Sequence, residues 1–167
     1  FMTVQIAYKN KVSINNAYNL VLFIDEKMNI SSLKKHISVS EYAFISDLIK
    51  TKDIKKKIIY FDISSKKKII LVYIKKNHSN SNAEKLGASF YDQFKDHKVS
   101  NFIINSETCS SEEKNIIGYF VHGLKLKSYT FEKYKTKKKT KSISLIITGK
   151  NQPSVKDQMK FKAIESG

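Results

Sequence analysis

Arginine is missing from this chain. All 31 basic residues are lysine, against 15 acidic ones, for a formal net charge of +16. A surplus of this size ordinarily points to polyanionic partners. Arginine is the residue that makes bidentate contacts with phosphate and guanine, so its absence counts against sequence-specific nucleic-acid readout. Lysine, asparagine and isoleucine, all abundant here, share A/T-rich codons, so genome composition is an alternative source of the basicity.

Glycine is scarce, with five residues, and there is one proline. A phosphate-cradling loop needs several glycines at a strand-to-helix turn. Gly87, Gly118 and Gly123 fall inside helical patterns instead and read as close-packing positions. The single cysteine, Cys109, excludes a disulfide within the chain and fits a reducing, cytoplasmic setting. It lies in "ETCSSEE", where acidic neighbours disfavour a thiolate, so it is a poor nucleophile. G-x-S-x-G and H-E-x-x-H are both missing. His36, His78, His97 and His122 are scattered, with no pair at helical metal-ligand spacing. His78 and His97 read as solvated, and His122 as a partly exposed helix residue. Glu26, Asp47, Asp53 and Asp62 are isolated, unlike the converging carboxylates of a two-metal hydrolase. No run of eighteen apolar residues predicts a membrane span. The N-terminus lacks a basic region followed by a long apolar segment, so no secretory signal is expected. Phe1 precedes Met2, which is read as the initiator.

What is present is a domain-sized chain of 167 residues, 41% hydrophobic. Residues 3–8, "TVQIAY", alternate as a strand does. "LVLFI" at 20–24 is continuously apolar, as in a strand buried on both faces. "IIYFDI" (58–63) and "IILVYI" (69–74), joined by a short turn, predict an antiparallel hairpin. "VSNFIIN" (99–105) and "ISLIIT" (143–148) are further strands. Three helices are predicted with capping boxes at Ser38/Glu41, Ser81/Glu84 and Ser110/Glu113. Their apolar faces are Phe44, Ile45, Leu48 and Ile49; Ala83, Leu86, Gly87, Phe90, Tyr91 and Phe94; and Ile116, Ile117, Phe120, Val121 and Leu124. Pro153 suits the first turn of a last helix, and "GKNQPS" (149–154) is the nearest thing to a linker. The pattern predicts an α/β fold of three layers, helix, mixed sheet and helix. Residues 2–150 form one domain on this reading, and 151–167 begin a linking helix.

One stretch stands out. "HGLKLKSYTFEKYKTKKK" begins at His122 and interleaves lysines with Tyr129, Phe131 and Tyr134. Its physical reading is a helical stripe ending at Leu124, followed by an extended segment anchored by the aromatics with lysines in water. The stretch resembles the end of the N-terminal domain of leucyl (cytosol) aminopeptidases. Gly123, Leu124, Ser128, Tyr129, Phe131, Lys133, Tyr134, Lys135 and the run Lys137–Lys139 match the family pattern. His122, Thr130 and Glu132 depart from it, as do Lys125 and Lys127. "AEKLGASFYDQF" resembles the family's preceding helix, and "FKAIESG" the start of the helix leading to its catalytic domain.

The resemblance implies a macro-domain-like fold without catalytic or metal-binding residues of its own. It implies a parent metallo-aminopeptidase that removes N-terminal residues from peptides using two divalent metals, zinc or manganese. Catalysis would lie in a C-terminal domain absent from this chain, the partner of this one. The family assembles as hexamers, and this domain shapes assembly and access to the catalytic sites. The chain alone is then expected to be inactive. Two competing readings remain. One is a nonspecific nucleic-acid-binding domain, with Lys133, Lys137, Lys138, Lys139 and Lys141 as polyanion contacts and weak DNA binding expected. The other is a nucleotide pocket, against which the lack of a glycine-rich loop speaks.

Overall fold

A computed structural model describes residues 4–11, 18–25, 27, 29–53, 55–75, 78–97, 100–109, 114–134 and 142–166. Its elements follow the alternation read from the sequence. They are β1 (Val4–Tyr8), β2 (Asn19–Ile24), α1 (Val39–Leu48), β3 (Ile58–Ser64), β4 (Lys67–Tyr73), α2 (Asn80–Phe94), β5 (Asn101–Asn105), α3 (Lys114–Tyr134), β6 (Ile143–Thr148) and α4 (Val155–Ser166). The six strands form one sheet in the order β1-β6-β5-β2-β4-β3. Every pairing is parallel except β3–β4, the predicted hairpin, so the sheet is mixed.

Strand β2 explains the three layers. All six of its residues are buried, and successive side chains point to opposite faces. Val21 and Phe23 join a core with α2 and α3. Leu20, Leu22 and Ile24 join a second core with Ile45 of α1 and Leu33 of a 3-10 turn at Ser31–Lys35. The helical face predicted for α2 is the buried one, from Ala83 to Phe94. Phe90 meets Phe94, Phe102 and Phe120 at ring-centroid distances of 4.8, 5.2 and 5.5 Å, fixing helix to sheet and helix to helix.

Helix starts are set by capping groups. At α1, Ser38 Oγ accepts the Glu41 N–H and Glu41 accepts the Ser38 N–H, completing the predicted box. Lys67 Nζ, 2.8 Å from Glu41, ties this helix start to β4. At α2 the cap lies two residues before the predicted Ser81. Ser79 is extended (φ −75°, ψ 156°) and its Oγ accepts the Asn82 N–H. Ser81 is already helical there, so it cannot act as the half-in residue that caps. The predicted Ser110/Glu113 box lies outside the described residues.

Helix α3 corrects the helix exit expected at Leu124. It continues to Tyr134, and its buried stripe gains one more turn at Ser128. Ser128 Oγ donates to the Lys125 carbonyl within the helix, so its hydroxyl is satisfied without breaking it. Gly123 is a mid-helix contact. A Cβ there would lie 2.0 Å from the Glu84 carbonyl oxygen of α2. Pro153 also lies just outside its helix: Ser154 Oγ accepts the Asp157 N–H and caps α4. The stretch expected as a linker is pinned to the fold. Asn151 donates from its backbone to Ser106 Oγ at 3.1 Å and from its side chain to the Cys109 carbonyl at 2.7 Å. Gly149, at φ +95°, makes the turn. No helix among the described residues is long and apolar enough to cross a membrane.

Candidate functional site

Among the described residues, polar groups line clefts in at least three places. The first lies where α4 is seated on α3 beside β1. Phe161 of α4 stands over Gly118, with its ring 5.0 Å from Tyr119 and 5.4 Å from His122. One turn further, Glu165 is buried, at 6% side-chain exposure. Lys125 Nζ lies 2.7 Å from one carboxylate oxygen and His122 Nδ1 lies 3.4 Å from the other. Tyr8 of β1 lines the same cleft. Burial, reinforced by the Glu165 charge, pushes its phenol up to about 12. Beneath α4 is a cavity of about 350 Å³ whose walls include Ile6, Val121 and Met159.

His122 is therefore a buried, paired residue rather than the partly exposed one expected. Lys125 is drawn inward as well. This cluster has no local signal in the sequence, because Lys125 and Glu165 are separated by 40 positions. Chemically it is one carboxylate held between an ammonium and an imidazole. That arrangement fastens helices, since a buried charge must be compensated to be tolerated.

The second cleft opens at the carboxyl ends of β5 and β6, the end of an open α/β sheet where ligands bind. Its volume is about 270 Å³, and Asn10, Leu20, Ile103, Asn105, Thr148 and Gly149 are among its walls. Asn105 is already engaged. Its Oδ1 accepts the Glu107 N–H at 3.0 Å and its Nδ2 lies 3.1 Å from His36 Nδ1. Burial, with Lys35 nearby, holds the His36 imidazole below the usual histidine range, against the opposing pull of Glu107. His97, expected in water, is half-buried against Phe94 at 5.1 Å and Tyr60 at 6.2 Å. His78 is half-buried too. Cys109 is buried, in keeping with an unreactive thiol.

The residues singled out from the sequence divide between the core and the end of α3. Gly123 and Leu124 are buried against α2, and Tyr129 is half-buried. Phe131, Lys133 and Tyr134 belong to the last turn of α3, not to an extended segment. Lys135, Lys137, Lys138, Lys139 and Lys141 lie outside the described residues. Among the described residues no group of three or more His, Cys, Asp or Glu converges as metal ligands would.

No protein-family model and no curated protein matches the chain. Solved structures do. A tomato leucine aminopeptidase mutant superposes with a TM-score of 0.69 at 17% identity, covering 97% of this chain and 35% of the aminopeptidase. The macrodomain of Thermus aquaticus DarG superposes with a TM-score of 0.56 at 7% identity, covering 88% of this chain and 99% of that one. The chain thus spans about a third of the length of the aminopeptidase it resembles, and its fold is a macrodomain-like α/β sandwich of the kind found as one part of that larger enzyme.

Proposed function

We propose that this chain is the non-catalytic N-terminal domain of a leucyl-aminopeptidase-type enzyme, shaping assembly and access while a separate domain performs hydrolysis. The observation that carries the reading is the asymmetric coverage: nearly all of this chain matches about a third of the aminopeptidase. The run from His122 to Lys139 supports it independently, because it resembles the family at the level of sequence.

The described residues do not suit the two divalent metals that the family implies. The cluster at Glu165 offers one carboxylate and one imidazole, and Lys125 already occupies the carboxylate. A dinuclear site needs several converging carboxylates. On this reading the zinc or manganese ions belong to the catalytic domain, α4 leads towards it, and the assembled enzyme is a homo-oligomer, a hexamer as in the family.

The test is an assay of the 167-residue chain on leucine p-nitroanilide with manganese, beside the polypeptide encoded by the full reading frame. The chain alone should give no turnover, and the longer polypeptide should give metal-dependent release. Metal-dependent turnover by the chain alone, or a reading frame lacking a catalytic domain with five metal ligands, overturns the proposal.

A further inference from the structure

Helix α4 is held differently from α2. Whereas α2 buries six residues, none of the described apolar residues of α4 is fully buried. Val155, Met159 and Ile164 are 71%, 66% and 54% exposed. The space between α4, β1 and α3 is incompletely filled, leaving the cavity bounded by Ile6 and Val121. A twelve-residue helix is marginal in water without packing, and apolar stabilisation scales with the area removed from water. What fastens α4 is concentrated one turn apart, at Phe161 and Glu165.

The two fastenings are of different kinds. Phe161 fits because residue 118 has no side chain: a Cβ there would lie 2.6 Å from Phe161 Cε2. Glu165 is clasped by Lys125 and His122, all three largely shielded from water. Elements with few buried apolar contacts open at free energies below that of global unfolding. We propose that α4 is a strap that opens separately from the rest of the fold, fastened to α3 by a Phe161 plug and a Glu165–Lys125–His122 clasp. Opening uncovers Ile6, Val121 and the underside of Phe161. The device stands on this chain's own contacts, whether or not the chain belongs to an aminopeptidase.

Native-state hydrogen exchange of the 167-residue chain, read by mass spectrometry at fixed pH, tests it. Amides of residues 159–165 should exchange at least a hundredfold faster than those in the centre of α2. Glu165→Gln should raise α4 exchange about tenfold, the loss of one charge-assisted hydrogen bond, with α2 unchanged. Gly118→Ala places a methyl group under Phe161 while favouring the helical state of α3. It should speed exchange in α4 and leave α3 no less protected. This second variant keeps the test decisive if Glu165→Gln fails to fold. Exchange of α4 together with α2 and α3 in a single opening overturns the proposal. So does loosening of α2 as much as α4 in the variants.

Discussion

The carbonyl oxygen of Phe120 lies 1.8 Å from the position that a Cβ on Gly87 would occupy. The relationship is reciprocal one turn away, where Gly123 meets the backbone of Glu84. Helices α2 and α3 therefore approach until backbone touches backbone, and each supplies a glycine to permit it. In both cases the obstructing atoms are main chain, which cannot swing aside.

Gly87→Ala should accordingly destabilise the protein. Alanine favours a helix over glycine by about 1 kcal/mol, but overpacking a filled core costs about 1–3 kcal/mol and sometimes more. With backbone as the obstacle the upper end applies, and a net loss of about 2 kcal/mol is expected. Urea denaturation measures it. An unchanged or raised midpoint would mean that the helices part easily, contrary to the packing described.

Ser79→Ala should cost about 1 kcal/mol, as loss of an N-cap does, whereas Ser81→Ala should stay within about 0.5 kcal/mol. Thermal melts of the two variants separate them. Equal losses would indicate that both serines serve the helix start.

That pair of serines marks where the sequence was legible. The strands, the hairpin and the buried face of α2 followed from period and polarity, because β2 and α2 sit in regular, well-packed surroundings. "SNSN" offers two serines at suitable distances from the apolar face, and only the backbone angles at Ser79 decide between them. Gly123 read as a close-packing position within a helix, as it is, whereas Leu124 read as the last residue of the helical stripe, which runs on to Ser128. The close approach of α2, which requires glycine at position 123, is a tertiary fact. The His122–Lys125–Glu165 cluster was illegible for the same reason: α4 must first be laid on α3 before the three groups meet.

Tyr8 should make stability fall in strongly alkaline solution. Its folded phenol titrates at about 12, above the ordinary value of 10, through burial first and the Glu165 charge second. A group whose folded pKa is raised contributes stability that is fully present below the unfolded pKa. That contribution is lost as pH rises through the folded value. The stability difference between the natural protein and Tyr8→Phe should therefore shrink from pH 9 to 12, because the other tyrosines are common to both. A difference that stays flat across this window would place Tyr8 in ordinary contact with water.

Lysine-only charge should give weak, nonspecific DNA binding. Lys133 lies in the last turn of α3, and we propose that Lys137, Lys138, Lys139 and Lys141 extend its positive charge along the chain. Each phosphate neutralised adds about 0.9 to the slope of log affinity against log salt. Replacing Lys137, Lys138 and Lys139 by glutamine should thus flatten the slope by at most about 2.7. Fluorescence anisotropy with a labelled duplex should find little complex left at about 0.2 M salt, where nonspecific contacts have lost most of their affinity. A complex that persists there and prefers one sequence would favour a nucleic-acid-binding domain over an aminopeptidase domain. It would also require base contacts made without any arginine.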